Sequence, residues 1–405
     1  MSSKAPADRP QSFETRLSHA GRPGTRIHGM VNPPLHRGST VLQPSIAARI
    51  EAGKHRLDQA LIYGIMGSAT HHALEDVVAE IEGGTRCQIV SSGLAAVTTA
   101  LLAYLEAGDH CLVPDSVYGP ARAFCDTVLK RMQIETTYYR PEIDEAGIAK
   151  LMRPNTRVVY TESPGSHTME MQDVPALARA AHAKGAKVLM DNTWGIHFFQ
   201  PFRHGVDASI QALTKYVAGH SDVLLGSITT ATPEEWERVR NTALALGQYA
   251  SPDDCWLALR GVRTMAVRLE RQMASGLEVA RWLAGRPEVQ QVLHPALPGA
   301  PGHEIWKRDF TGACSLFSVV FKPEFSPEAT HAMVESLKLF GIGASWGGFE
   351  SLALPTTGFM TRTAGSGQFT GPVCRFHIGL EAPADLIADF EQALGVLRAY
   401  RPARL

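Results

Sequence analysis

The chain has 405 residues, enough to bury a large core and to build two or three domains. With 44% hydrophobic residues, 20% charged residues and a formal net charge of −1, it carries no overall field that would draw it to nucleic acid or an anionic membrane. No apolar run approaches the roughly 18 to 20 residues that cross a bilayer, and the polar start from Met1 to Glu14 lacks the apolar stretch of a signal peptide.

Residues 1–68 predict an arm with little regular structure, because Gly21, Pro23, Gly24 and Asn32–Pro33–Pro34 interrupt any helix. Such an arm packs on a neighbour or frays. Over 69–265 the pattern turns to helices alternating with short apolar strands. Helices are expected at 70–82, 93–106, 121–131 and 174–183, and strands at 88–90, 110–113, 135–139, 158–160, 187–190, 210–213 and 224–230. That alternation predicts an α/β fold with a large, mostly parallel sheet covered by helices on both faces. Over 266–405 longer helices are expected at 268–284, 326–340 and 385–400, with strands at 316–320 and 374–378, making a smaller α/β domain. The Gly/Thr-rich stretch 355–372 reads as a loop beside a site. The six cysteines (87, 111, 125, 255, 314 and 374) form no C-x-x-C pair, so we expect free thiols in a reducing cytoplasm rather than a zinc site or disulfide scaffold.

Ligands of such a sheet bind at the carboxyl ends of its strands. Ser91–Ser92–Gly93 follows a strand and opens a helix, where free amides and the helix dipole favour a phosphate, or where a serine simply caps the helix. Asp191–Asn192 ends another strand; a carboxylate there needs a partner, or caps a turn. Lys215, in Thr214–Lys215–Tyr216, follows a third strand, and is either a solvated charge or a desolvated amine able to attack a carbonyl. Taken together, a phosphate cradle, an acid and an amine on neighbouring strand ends meet the needs of a pyridoxal 5′-phosphate (PLP) site. Arg375 is a candidate for a substrate carboxylate, which guanidinium binds through two parallel hydrogen bonds. Tyr63, Tyr118 and Trp346 each precede a glycine and can stack on a planar ring or close a core. His71, His72 and Glu75 are too few for a metal, and no metal is expected. A nicotinamide-dependent dehydrogenase is excluded because no G-x-G-x-x-G follows an early strand.

At this point the sequence resembles a known family, the Cys/Met-metabolism PLP enzymes, which have the aspartate-aminotransferase type I fold. The likeness runs from about Ala20 to Ala399. It is strongest in Glu-Ser-Pro-Gly-Ser-His-Thr-Met-Glu at 162–170, Gln-Ala-Leu-Thr-Lys-Tyr-Val-Ala-Gly-His-Ser-Asp at 211–222, and Ser-Trp-Gly-Gly-Phe-Glu-Ser-Leu at 345–352. Arg-Phe-His-Ile-Gly-Leu-Glu at 375–381, followed by Asp-Leu-Ile-Ala-Asp at 385–389, adds to it.

The resemblance implies that Lys215 joins the cofactor covalently and then serves as general base, and that Asp191 keeps the ring nitrogen protonated. It implies that Ser92, Gly93, Leu94 and Thr214 hold the phosphate, that Tyr118 stacks on the ring, and that Arg375 and Ser345, with Trp346 nearby, hold the substrate. Tyr63 is expected to reach the site of a neighbouring subunit in a dimer, commonly paired into a homotetramer. The family usually reads Tyr-x-Arg there, whereas this chain reads Tyr63–Gly64–Ile65. The expected activity is β-elimination of cystathionine or a related cysteine S-conjugate to a thiol, pyruvate and ammonia. Ala344–Ser345–Trp346 favours this over the family's γ-lyases and γ-substituting transferases, which often carry Glu and Leu beside that serine. An amino-acid racemase and a PLP-binding protein without catalysis, the latter supported by Ile65 alone, stay as alternatives.

Overall fold

The computed structural model describes residues 11–22, 29–365 and 369–401. Seven short strands, β1 (Arg86–Val90), β2 (His110–Pro114), β3 (Glu135–Tyr139), β4 (Thr156–Glu162), β5 (Lys187–Asp191), β6 (Ala208–Gln211) and β7 (Gly226–Thr230), form one sheet in the order β1-β7-β6-β5-β4-β2-β3. The β2/β3, β2/β4, β4/β5 and β5/β6 pairs are parallel, and β7 runs antiparallel to both β6 and β1. Successive side chains of a strand face opposite ways. Leu112, Val159 and Val188 therefore enter the core on one face, while Val113, Val158 and Leu189 enter the core on the other. Both faces are dry, so these strands read as unbroken apolar runs.

Chain order reverses between β2 and β4. The chain lays β3 outside β2 and then returns to place β4 on its other side. The carboxyl ends of β2, β4, β5 and β6 thus flank a crevice at a topological switch point, where such sheets bind ligands.

A second sheet, β8 (Val289–Leu293), β9 (Leu316–Phe321), β10 (Gly341–Ile342), β11 (Leu352–Pro355) and β12 (Val373–His377), has the order β10-β11-β12-β9-β8. It is antiparallel except for β10/β11. Phe317, Phe376 and Phe390 fill its core, with Phe376 and Phe390 ring centres 4.9 Å apart. The 20-residue helix Met265–Ala284 runs between the two sheets in sequence.

Several expectations differ in detail. Among the described residues the arm holds two α-helices, Phe13–His19, which buries Leu17, and Ile46–Lys54, whose Ser45 caps the Ala48 amide. Pro23 and Gly24, two of the breakers cited, lie outside the described residues, as do 366–368 of the expected loop. The expected helix at 121–131 is α-helical over Gly119–Phe124, passes through a π turn at Cys125–Leu129 and is helical again at Lys130 and Arg131. Strand β6 ends at Gln211 because Lys215 N already turns back onto Ala212 O at 3.0 Å. The helix expected at 326–340 stops at Ser336. Strands β8, β10 and β11 were not expected at all.

The arm is anchored by side chains of the main body. Arg240, 2% exposed, donates to Gln88 Oε1 and to the Met66 carbonyl, both at 2.6 Å. Its charge also faces buried Glu75. Gly64 lies so close to Gly38 that a Cβ there would meet its carbonyl oxygen at 2.5 Å. Removing one member of a buried charged network strands the others. Arg240→Ala should lower unfolding free energy by about 3 kcal/mol, measured as a shift in the denaturant midpoint at unchanged slope.

Candidate active site

Each strand end at the crevice delivers one polar side chain. Strand β4 ends in Glu162 and β5 in Asp191, directly paired in the parallel register. Strand β2 leads to Tyr118, 41% exposed, whose amide donates to Glu162 Oε2 at 2.8 Å. Burial pushes both carboxyls upward, and the charge of Asp191 raises Glu162 further.

Asp191 is oriented through Thr193, whose amide and hydroxyl donate to Asp191 Oδ1 at 3.0 and 2.6 Å. The same Thr193 hydroxyl accepts the Ala212 amide at 2.9 Å, fixing Asp191 relative to the turn that carries Lys215. Behind this pair lies Glu82, fully buried at the end of the helix Ala69–Glu82. It accepts from Asn192 at 3.1 Å, from Gln211 at 2.6 Å and from Ser209. Burial raises its carboxyl to about 7 despite those donors. Glu82 thereby ties the ends of β5 and β6 together. Sequence reasoning missed it; its one signal was an acid ending an amphipathic helix before Gly83–Gly84.

Lys215 Nζ donates to Ser345 Oγ at 2.7 Å and stands 5.4 Å from the centre of the Trp346 ring. Burial, and then the charge of Arg375, bring its pKa down to about 8; Asp191 opposes the drop. Arg375, on β12, is 8% exposed and donates to the carbonyls of Ala344 and Ser345 at 2.7 and 3.3 Å. No carboxylate pairs with it among the described residues. A buried guanidinium without a counter-ion is costly, and such groups gather at functional sites. His377 holds the adjoining segment by accepting the Gly347 amide at 3.1 Å.

At the start of the helix Gly93–Tyr104, Ser92 Oγ accepts the Ala95 amide at 3.1 Å and Ser92 O accepts the Ala96 amide at 3.0 Å. The Gly93 and Leu94 amides precede these first bonds and are left for an outside acceptor. A Cβ on Gly93 would stand 2.6 Å from that of Ala212, so only glycine lets the helix start meet the turn before Lys215. Thr214 Oγ1 receives Leu225 N at 3.0 Å and donates to Leu225 O at 3.1 Å, which locks the hydroxyl beside the cradle. Free amides at a helix start, a depressed lysine and a fixed acid are the donor set that PLP needs, so the residues present fit this cofactor.

The structure brings together Asp191, Lys215, Ser345, Trp346 and Arg375, with Tyr118 on Glu162 at the neighbouring strand end. Ser92, Gly93, Leu94 and Thr214 adjoin the same turn. Tyr63 is separate: it is half exposed on the arm, bridged to Thr40, and no contact joins it to the others among the described residues. Ile65 is partly buried beside it. His71 spends both ring nitrogens, on Ser68 and on the Ala250 carbonyl.

Because the Lys215 amine is neutral only above its pKa, cofactor uptake by the apoprotein should accelerate as pH rises through about 8 and level off beyond it. Arg375→Gln removes a facing positive charge and should move that midpoint upward. Stopped-flow absorbance across pH reads both.

Comparison with known proteins bears on the same residues. The family model described as Cys/Met metabolism PLP-dependent enzyme matches residues 14–395. The chain is 49% identical over 391 residues to a putative cystathionine β-lyase of Rhizobium johnstonii, covering 96% of this chain and 97% of the relative. It is 41% identical to the cystathionine β-lyase of Escherichia coli, with 94% and 98% covered. The solved structure of a cystathionine γ-lyase from Lactobacillus plantarum, complexed with L-serine, superposes with a TM-score of 0.87 at 28% identity, covering 96% of this chain and all of that one. The two sheets are those of the type I fold of PLP enzymes, and the chain belongs to the Cys/Met-metabolism PLP-dependent enzymes.

Proposed function

We propose that this PLP-dependent carbon–sulfur lyase acts by β-elimination on cystathionine or a related cysteine S-conjugate. The observation that carries the reading is Arg375, a buried guanidinium with no paired carboxylate among the described residues, which faces a depressed lysine. An amino acid's carboxylate supplies the missing negative charge. The comparisons add two relatives, 41% and 49% identical, that are named for this activity. Ala344–Ser345–Trp346 favours β- over γ-chemistry.

When bound, PLP draws electrons from the substrate's α-carbon. Arg375 and Ser345 hold the α-carboxylate, which places the α-hydrogen over Lys215. Lys215 Nζ, with its pKa near 8, is then a base matched to neutral or slightly alkaline solution and takes the α-proton. Asp191 would supply the carboxylate that faces the ring nitrogen, and Ser92, Gly93, Leu94 and Thr214 would hold the phosphate. Tyr118 would cover the ring; burial raises its phenol, so it remains an O–H donor. As the Cα proton is lost, sulfur departs with the Cβ–S electron pair as a thiolate, which takes up a proton, available from protonated Lys215, to become the thiol. Water then converts the three-carbon remainder to pyruvate and ammonia. From cystathionine the thiol is homocysteine.

Tyr63 completes the site of a neighbouring subunit in this reading, within a homodimer that pairs into a homotetramer. The exposed arm residues Met30, Val31, Leu42, Ile46 and Ile50 support such an interface. The division into an arm (1–68), a large PLP-binding domain (69–265) and a C-terminal domain (266–405) belongs to the same proposal. A reducing cytoplasm is supported by six buried, unpaired cysteines.

Incubation of the holoenzyme with cystathionine should yield pyruvate. 2-Oxobutyrate instead would move the protein to the γ-enzymes. Lys215→Ala should lower turnover at least about 1000-fold and abolish the absorbance of the lysine-bound cofactor.

A further inference from the structure

Strand β12 presents two polar side chains, Arg375 and His377, on one face, because residues two apart in a strand point the same way. Phe376 between them enters the core of the second sheet. A buried imidazole is costly unless its nitrogens are paired, and His377, 1% exposed, pairs both.

Arg375 and His377 grip the same short segment. Arg375 takes the carbonyls of Ala344 and Ser345, and His377 Nε2 accepts the Gly347 amide at 3.1 Å. Gln272, also buried, donates to the Gly348 carbonyl at 2.6 Å. This segment carries Ser345, whose Oγ receives Lys215 Nζ, and it lies directly on the backbone of the lysine. Gly347 has a φ of +85°, and a Cβ there would stand 2.9 Å from Lys215 Cα and 2.8 Å from Tyr216 N. A shift of the segment is therefore felt by Lys215 at its main chain and at its amine.

A second route joins the same two residues. Ser315 Oγ lies 3.2 Å from His377 Nδ1 and donates its hydrogen to the Ile378 carbonyl at 2.6 Å. The Ser315 amide donates to the hydroxyl of Tyr216, the residue after Lys215, at 3.2 Å. The Tyr216 and His377 rings meet edge to face, with centres 5.9 Å apart. Lys215, Tyr216, Ser315, His377 and Gly347 thus close a ring of contacts beneath the amine.

These partners select one form of the imidazole. Burial, and then the charges of Arg375 and Lys215, bring its pKa down to about 3, so it is neutral and one nitrogen bears the proton. Ser315 has committed its hydrogen to Ile378 and can only accept, which places that proton on Nδ1. Nε2 then offers its lone pair to the Gly347 amide, which has no other acceptor among the described residues. The Gly348 carbonyl, 3.2 Å from Nε2, is already supplied by Gln272.

We propose that His377 is a positioning residue for Lys215. With Nε2 as acceptor it seats the segment 345–347, and so sets the place of Ser345 Oγ and of the amine bonded to it. One strand then holds the carboxylate anchor and the base in a single register. The inference rests on the role given to Lys215 in the lyase reading above.

The test follows, by stopped-flow absorbance, how fast Lys215 of the apoprotein takes up PLP, beside turnover of cystathionine by the holoenzyme. His377→Leu keeps a buried apolar volume and leaves the Gly347 amide unpaired. His377→Gln puts a carbonyl oxygen near the place of Nε2 and restores the acceptor. The leucine variant should slow uptake and lower kcat ~10- to 100-fold, and the glutamine variant should return both to within about threefold of the wild type. A leucine variant equal to the wild type, or two variants equally impaired, overturns the assignment. Should either variant not fold, Ser315→Ala decides. Without an acceptor for Nδ1–H the proton moves to Nε2, so uptake must slow, and unchanged uptake overturns the assignment too. A wild-type protein that takes up PLP and makes no pyruvate sinks the lyase reading, while the uptake rates still judge His377.

Discussion

The chemistry rests on one electrostatic balance: an amine held out of water with a guanidinium on one side and a carboxylate on the other. Burial and Arg375 favour neutral Lys215, and Asp191 limits how far the amine is pushed. Without the guanidinium the amine would hold its proton to a higher pH; without the acid a ring nitrogen would find no counter-charge. These groups come from different sheets, Asp191 from β5 and Arg375 from β12, so the balance exists only when the sheets are docked. Much of the remaining architecture maintains that docking. Glu82 and Thr193 fix the strand ends from below, while Asp115 and Glu170 grip the segment at 362–364 from the side.

A good part of this was legible in the sequence. Parallel strands buried on both faces leave unbroken apolar runs, so the places of β1 to β7 along the chain and the polar residues at several of their ends could be read directly, while the order of the strands in the sheet could not. Asp191, Lys215 and Gly93 each follow such a run, and the resemblance gave them roles. Strand β6 ends earlier than expected because Ala212 and Leu213 continue the apolar run while the backbone is already turning. Strand β8 carries Gln290 and Gln291 at its centre, and β10 has two residues, so neither shows a period. The arm helices are short and lie among proline and glycine, which hid them.

The unread part of the site is tertiary. Glu82 acts on residues 110 to 129 positions away, and nothing in its own neighbourhood says that Asn192, Ser209 and Gln211 will converge on it. The same holds for Arg362, which meets Glu170 across 192 positions. His167 sits inside the segment 162–170, yet its unusual backbone, and a ring nitrogen with no partner among the described residues, are properties of the folded chain. Spacing reveals what a strand end offers, and only the fold reveals what is left unpaired.

The carbonyls of Ala344 and Ser345 that hold Arg375 belong to the main chain. Main-chain carbonyls are present whatever side chain a position bears. Mutation at 344 and 346 can therefore redraw the wall that the reacting sulfur meets while the grip on Arg375 survives. The fold separates recognition of an amino acid as such from recognition of what that amino acid carries. One inherited anchor can then serve enzymes that diverge in the bond they break.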